Sequence, residues 1–155
     1  MNEIHIVTFQ LNDQVFGAEA LQVKEIKKFK DVESLPEMPK YIHGVINLRG
    51  IEVPIVNLNE KFNLGISEIN KKTKILITQF EDKYIGFPVN DVYEILKFTD
   101  EEIDTVPRGL IGESGSYLKF IDKKGDKLIS VIDLSKVLND SEVSELSELL
   151  EQKTA

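Results

Sequence analysis

The chain has 155 residues, 41% of them hydrophobic and 30% charged, with no cysteine and a formal net charge of −8. This composition is typical of a soluble globular protein of one domain or two small fused ones, and it excludes disulfides, thiolate nucleophiles and thiolate metal sites. The acidic balance argues against nucleic acid or an anionic membrane as the main partner, and no apolar run reaches the roughly 18–20 residues of a membrane span.

The first three predicted strands lie between residues 4 and 28. Ile4–Leu11 is rich in β-branched and aromatic residues, ends at the polar turn Asn12-Asp13, and is followed by a second strand near Val15–Gly17. A third strand carries V-K-E-I at positions 23–26. Because side chains alternate along a strand, we expect its valine and glutamate to share one face and its isoleucine to take the other.

The stretch GVINLRGIEVPIVNL, residues 44–58, predicts a β-hairpin. Val45–Leu48 and Ile51–Val56 form its strands, and Arg49-Gly50 forms a two-residue turn that requires positive φ. We therefore assign Gly50 a structural turn role, and Gly44 either turn geometry or a close backbone approach. Because proline donates no ladder hydrogen bond, we expect the strand that contains Pro54 to be an edge strand or to be bulged.

The pattern G-x5-V-x-E-I-x-x-F occurs twice in the chain. The first copy starts at Gly17 and the second at Gly86, which is 69 positions later (86 − 17). An internal repeat of this kind indicates two units of similar fold. We predict the first repeat unit at about 4–66, the second at about 73–139 and a C-terminal helix at about 140–152.

The second unit and the C-terminus complete the predicted elements. Tyr117–Ile121 and Lys127–Ile132 flank a predicted five-residue tip, and short helices begin at Asn57 and Asp133, which are good N-cap residues. Apolar residues recur at helical spacing after residue 140, where Asp140 or Ser141 is expected to cap the helix. Many short strands and few helices predict a mainly β fold of two small barrels packed together.

The motif G-V-I-N-L-R-G-x3-P-I-V-N-L resembles the signature of CheW-like proteins, the adaptors that join bacterial chemoreceptors to the chemotaxis histidine kinase. The resemblance runs from Ile4 to about Leu150 and implies one CheW-like domain over residues 1–155. It further implies two five-stranded SH3-like barrels whose boundaries need not follow the repeats, because strands can be exchanged. Two departures leave the NLRG turn untouched: Asn90-Asp91-Val92 replaces a common D-G-V, and Asn57 replaces a common aspartate.

The resemblance implies a scaffold without catalysis, located in the cytoplasm at receptor arrays under the inner membrane. Its implied partners are the regulatory domain of the kinase and the cytoplasmic hairpin tip of receptors, with no nucleic acid and no membrane insertion. Arg49 matches a partner-binding arginine of the family, and its planar guanidinium suits a carboxylate. The implied receptor-docking surface consists of Val23, Glu25 and Ile26. Glu94 is the repeat equivalent of Glu25, and Asn47 is expected either to hold the turn backbone or to contact a partner.

Catalysis, metal binding and cofactor binding are not expected from this sequence. His5 and His43 lack metal-ligand spacing, and with two distant histidines and no cysteine the candidates for a base beside a nucleophile are few. Two alternatives stay open. The first is a CheW-like coupling module of another kinase pathway, such as twitching motility, which only its partners would distinguish. The second is a ligand-binding or hydrolytic β-barrel, which would need a deep apolar pocket with convergent polar groups.

Overall fold

A computed structural model describes residues 3–34, 36–62, 64–65, 68–99, 103–104, 118–124 and 127–154 of the chain. Within these residues, no helix is long and apolar enough to cross a membrane. The strands follow the apolar runs of the sequence and form two sheets. The strands and helices are β1 (Glu3–Leu11), β2 (Gln14–Glu19), β3 (Val23–Lys28), β4 (Ile42–Leu48), β5 (Ile51–Val56), α1 (Leu58–Lys61), β6 (Lys74–Phe80), β7 (Lys83–Val89), β8 (Asp91–Thr99), β9 (Ile103–Asp104), β10 (Leu118–Lys124), β11 (Lys127–Ile132) and α2 (Asp140–Thr154).

The two sheets exchange strands between the two halves of the chain. Sheet I has the order β8-β1-β2-β11-β10-β9, and sheet II has the order β3-β6-β7-β5-β4. The opening hairpin β1–β2 therefore lies among later strands, while β6–β7 lies among earlier ones. Parallel pairing joins each hairpin to its sheet, β2 to β11 and β7 to β5. The predicted mainly β, SH3-like fold is confirmed, and the two-residue strand β9 makes sheet I six-stranded rather than five-stranded.

The buried apolar side chains form one central cluster and two smaller ones. The central cluster takes residues from both sheets, including Phe9, Phe87 and Ile132, and from helix α2, whose Leu146 is 5% exposed. One smaller cluster belongs to sheet II and contains Ile46, Leu48, Val53, Ile55, Ile75 and Ile77. The other belongs to sheet I and contains Ile6, Phe98, Ile129 and Val131. The central cluster thus holds the two sheets against each other.

The strand with Pro54 is not an edge strand, but its pairing with β4 is irregular next to Pro54, because the register shifts between Ile42 and Gly44. Strand β5 lies between β7 and β4. Pro54 is opposite Val45, whose N–H and C=O both bond to Glu33 at 2.8 Å on the other side of β4. Val45 therefore needs no donor from Pro54. The registered pairing of β5 with β7 is the single pair Ile55–Gly86, so Pro54 is tolerated in an inner strand.

Two further boundaries differ from the prediction. Strand β10 continues to Lys124, which pairs with Lys127, so strand pairing extends into the predicted five-residue tip. The N-cap of α2 is Asn139, neither Asp140 nor Ser141. Its Oδ1 accepts from the N–H of Glu142 at 2.8 Å, and its own N–H donates to Glu142 Oε1 at 3.0 Å. This reciprocal pair is a capping box, and of Asn139, Asp140 and Ser141 only Asn139 has a glutamate three residues later.

Candidate interaction site

The NLRG motif folds as a two-residue hairpin turn with left-handed backbone geometry. Arg49 has φ +50° and Gly50 has φ +88°, between the paired residues Leu48 and Ile51. The Oδ1 atom of Asn47 accepts a hydrogen bond of 2.9 Å from the Gly50 N–H. The turn is therefore pinned by its own side chain, and the arginine projects from a fixed backbone.

The guanidinium of Arg49 meets the carboxylate of Glu25. Arg49 Nη2 donates to Glu25 Oε2 at 2.8 Å. Glu25 lies on β3 and Arg49 follows β4, and these strands are the two edges of sheet II. A direct contact between residues at opposite edges requires the sheet to curl, as in a small barrel. Two residues that the sequence suggested separately as partner contacts are thus one structural pair.

The pair remains open to solvent, and it is the main local electrostatic feature. The side chain of Arg49 is 67% exposed and that of Glu25 is 29% exposed. The hydrogen bond from Arg49 lowers the pKa of Glu25, and the same bond raises the pKa of Arg49. Both groups are therefore charged at neutral pH, and the exposed guanidinium nitrogens can donate to another carboxylate or carbonyl oxygen.

Strand β3 has an irregular register that changes which residues share a face. Val23 pairs with Thr78 and Glu25 pairs with Ile77, so Lys24 is an extra residue. The prediction that Val23 and Glu25 share a face is wrong for this reason. Val23 is half-buried against the central cluster, whereas Glu25, beyond the bulge, pairs with Ile77 and its side chain reaches the exposed Arg49. Ile26 is 43% exposed and is the apolar residue of β3 available for contact.

Glu94 lies on a different sheet from the Arg49–Glu25 pair. It belongs to β8, the edge strand of sheet I, and its side chain is exposed. Its neighbours Tyr93 and Ile95 are 50% and 61% exposed. Within the part of the chain that the structure describes, no hydrogen bond or ion pair joins Glu94 to Glu25 or Arg49, so the structure presents two candidate surfaces. We call them the β3 surface (Glu25, Ile26, Arg49) and the β8 surface (Tyr93, Glu94, Ile95).

Gly44 is a close-approach position with ordinary backbone angles. A Cβ atom there would lie 2.6 Å from the carbonyl oxygen of Glu33 and 2.6 Å from Val32 Cγ1. The neighbouring His43 packs edge-on against Phe29 with ring centroids 5.2 Å apart, and burial lowers its pKa. His43 is therefore a packed residue, and among the described residues no group of acids and histidines is arranged to hold a metal ion.

Sequence reasoning missed two side chains beside the arginine and one inside β1. Lys24 lies 5.4 Å from the ring centroid of Tyr84 and donates to Gln79 Oε1 at 2.6 Å. Lys24 directly precedes Glu25 in β3, so Lys24 and the Tyr84 ring beneath it border the β3 surface. In β1, Thr8 is buried at 3% exposure and bonds to the backbone of β8. The sequence signal that could have identified Thr8 is its single hydroxyl side chain within an aliphatic strand.

Comparison with known proteins identifies the family. A model of the CheW-like domain matches residues 5–142. The chain belongs to the CheW-like family. The chemotaxis protein CheW of Bacillus subtilis is 31% identical over 134 residues, which cover 86% of each chain. The chemotaxis protein CheW of Treponema pallidum is 28% identical over 151 residues, 95% of this chain and 89% of that one.

A solved CheW structure supports the same conclusion for the fold. The crystal structure of the scaffolding protein TtCheW from Thermoanaerobacter tengcongensis superposes with a TM-score of 0.78 at 28% identity, over 84% of this chain and 89% of that chain. These relatives are named as chemotaxis and scaffolding proteins, and the CheW-like family is one of adaptors and not of catalysts. The chain is therefore a chemotaxis-type scaffold of this family.

Proposed function

We propose that this chain is a chemotaxis adaptor that binds both the regulatory domain of the chemotaxis histidine kinase and the cytoplasmic hairpin tip of chemoreceptors. It acts in the cytoplasm at receptor arrays under the inner membrane, as one CheW-like domain of two repeat units. It holds kinase and receptor in a fixed arrangement, so that receptor state biases kinase activity. The observation that carries the proposal is the exposed Arg49 guanidinium, presented by a pinned turn within the family signature.

The surroundings of this arginine suit protein docking. Ile26 and Ile51 are each 43% exposed, next to Glu25 on β3 and to the turn itself. Exposed apolar side chains bordered by charges are typical of interaction sites. A guanidinium at such a site gives orientation as well as attraction, because its donors are fixed in a plane. We assign Arg49, Glu25, Ile26 and Asn47 to this contact. Val23 supports the same strand through its packing against the central cluster.

The grooves of the described residues favour docking over a ligand-binding barrel. A groove of about 150 Å³ lies between β5, β7 and α2, and one of about 250 Å³ lies beside Leu21. Small-molecule sites usually occupy about 300–1,000 Å³ and enclose most of the ligand. Shallow grooves of this size are what an adaptor with flat protein contacts presents.

Calorimetric titration of the full chain tests the proposal. The titrants are the isolated kinase regulatory domain and a receptor hairpin-tip fragment from the same organism. Saturable one-to-one binding to each is expected, and Arg49→Glu should weaken at least one titration by about tenfold or more. Arg49→Gln is the matched variant, because it removes the charge without placing a second carboxylate beside Glu25. Normal binding of both partners by folded Arg49→Glu would make Arg49 an ordinary turn cation.

The alternative within the family is a coupling module of another kinase pathway. It shares this fold and surface and differs only in its partners. A folded sample that binds neither chemotaxis partner, but binds the corresponding kinase domain of a twitching-motility system, would establish it.

A further inference from the structure

The described strands show that the chain passes between the two sheets at two short crossings. Strands β1 and β2 belong to sheet I, β3–β7 belong to sheet II, and β8–β11 belong to sheet I again. The first crossing is the turn Ala20–Gln22, which leads from β2 into β3. The second is Asn90 alone, which separates β7 from β8. The strands of the two candidate surfaces, β3 and β8, therefore each begin directly after a crossing.

A side-chain amide holds the first crossing against the end of sheet I. The Nε2 group of Gln22 donates to Asp133 Oδ1 at 2.7 Å, and the Oε1 atom of Gln22 accepts from the Leu134 N–H at 3.0 Å. Both polar ends of this half-buried amide are thus used, and the bond to the carboxylate is the stronger kind. Asp133 and Leu134 directly follow β11, and Leu134 is buried in the central cluster at 1% exposure. The chain therefore leaves sheet I for β3 at a fixed point.

A second side-chain amide holds the other crossing. The Oδ1 atom of Asn90 accepts from the Asn12 N–H at 2.7 Å, and the N–H of Asn90 donates to the carbonyl oxygen of Gln10 at 2.8 Å. Asn12 lies in the turn between β1 and β2, and its Nδ2 group donates to the Leu64 carbonyl at 2.8 Å, which ties the same turn to the segment after α1. Asn90 thus fastens the start of β8 to hairpin β1–β2 where the chain returns from sheet II.

These bonds differ from local turn contacts because they join residues that are far apart in the chain. Gln22 and Asp133 are 111 positions apart, and Asn12 and Asn90 are 78 positions apart. The central cluster also joins the two sheets, but apolar contacts are non-directional, whereas hydrogen bonds constrain both distance and angle. The two amides are therefore suited to set the angle between the sheets, and with it the spacing of the β3 surface and the β8 surface.

We infer that Gln22 and Asn90 are positioning residues that set the orientation of sheet I relative to sheet II, and that receptor state reaches the kinase through this orientation. The inference rests on the proposed function, in which one chain holds two partners in a fixed arrangement. It adds two residues that act through β3 and β8, the strands that begin beside them, and that need to touch neither partner. Loosening a crossing should therefore leave each partner's own contact intact and impair the coupling between the partners.

The first test changes Gln22 and measures the distance between the sheets. Gln22→Glu places a carboxylate against that of Asp133, so the crossing should open, whereas adding Asp133→Asn supplies a donor that can face the new carboxylate. Because the chain has no cysteine, spin labels can be attached at Lys28→Cys on β3 and Lys97→Cys on β8, which are exposed positions. The distribution of label-to-label distances, measured by electron paramagnetic resonance, should broaden in Gln22→Glu and return to the wild-type form in the double variant. Gln14→Glu is the matched control, because it makes the same change at an exposed position of β2.

The second test separates binding from coupling. The calorimetric affinities of Gln22→Glu and Asn90→Ala for the kinase regulatory domain and for the receptor-tip fragment should match those of wild type. With full-length kinase and vesicles that carry full-length receptor, saturating amounts of either variant should support a kinase autophosphorylation rate that is lower by about threefold or more. Adding Asp133→Asn to Gln22→Glu should restore this rate, which a role in stability alone does not predict.

Each contrary result would overturn the inference. An unchanged distance distribution in Gln22→Glu, or in Gln22→Met should the first variant not fold, would show that the amide does not set the orientation. A broadened distribution with a normal autophosphorylation rate would separate the orientation from signalling. Weaker binding of both partners would indicate general destabilisation, and a double variant that stays broad would exclude the bond between Gln22 and Asp133 as the cause. A wild-type chain that binds neither partner would refute the proposed function and with it the coupling, whereas the distances would still decide the role of the two crossings.

Discussion

Replacing Gly44 with alanine should destabilise the protein strongly although the backbone angles there suit any residue. The added Cβ would lie 2.6 Å from the Glu33 carbonyl oxygen, a distance that real Cβ contacts essentially never show. That oxygen belongs to a bridge in which Glu33 and Val45 exchange two backbone hydrogen bonds of 2.8 Å. The segment carrying Glu33 must therefore move outward, and the bridge must lengthen or break.

The magnitude follows from these two effects. Overpacking in a well-packed region costs about 1–3 kcal/mol. Each weakened backbone hydrogen bond adds about 0.5–1.5 kcal/mol. Because the segment can relax partly, we expect a total of about 2–4 kcal/mol for Gly44→Ala, or roughly 5–15 °C in Tm for a chain of this size. The assay is urea unfolding followed by circular dichroism, with the slope m checked for constancy.

Gly50→Ala is the matched control within the same hairpin. Gly50 has φ +88°, and a Cβ there would have no atom within 4 Å. Its cost is therefore backbone strain alone, about 1–2 kcal/mol. A loss below about 0.5 kcal/mol for Gly44→Ala, or a loss smaller than that of Gly50→Ala, would refute the close-approach argument.

Three further predictions concern charged and buried polar groups. Glu142→Gln should destabilise the protein by about 1–3 kcal/mol in urea unfolding, because it leaves Lys61 without its largely buried partner at 2.6 Å. The pKa of Glu25, followed by NMR, should lie below that of an ordinary glutamate and rise in Arg49→Gln. Tyr41 should titrate with a pKa of about 12, chiefly because it is buried and also because acids lie nearby. Tyr41→Phe should leave the free energy of unfolding unchanged or raise it by up to about 1 kcal/mol.

The pH dependence of the stability that Glu25 and Tyr41 contribute follows from the direction in which each pKa is shifted. The lowered pKa of Glu25 adds stability above the unfolded value, near pH 4.3, and that stability is lost as the pH falls through the folded pKa. The raised pKa of Tyr41 adds stability below about pH 10 that is lost as the pH rises towards 12. A Glu25 pKa unaffected by Arg49→Gln, or a Tyr41 that titrates near 10, would contradict the structure. Glu142→Gln as stable as wild type would show that the Lys61 pair contributes nothing.

Local features of this fold were predictable from the sequence because they depend on neighbouring residues. The Arg49-Gly50 turn needs only positive φ and two flanking strands. The N-cap role of Asn139 was also predictable, because among Asn139, Asp140 and Ser141 it alone has a glutamate three residues later.

Long-range features were not predictable in the same way. V-K-E-I has the pattern of a regular strand, and nothing in four letters reveals that Lys24 is an extra residue. The contact between Glu25 and Arg49 depends on the curl of sheet II, which brings its two edge strands together. It is therefore invisible to a pattern that treats each strand separately. The same applies to Thr8, whose bonds reach 86 positions along the chain.

The exchange of hairpins between sheets leads to a last prediction about the repeat units. Fragments 1–66 and 67–155 follow the sequence repeat, but each would lack a hairpin that its sheet needs, β6–β7 for sheet II and β1–β2 for sheet I. Phe9, Leu11 and Phe16 of the first fragment would also lose the central cluster that covers them. Each fragment alone should therefore be unfolded by circular dichroism and show no cooperative thermal transition. An equimolar mixture should regain β structure, because the exchanged hairpins supply each other's missing strands. A cooperative transition in fragment 1–66 alone would show that the first repeat pairs its own strands, and the exchanged topology would then be wrong.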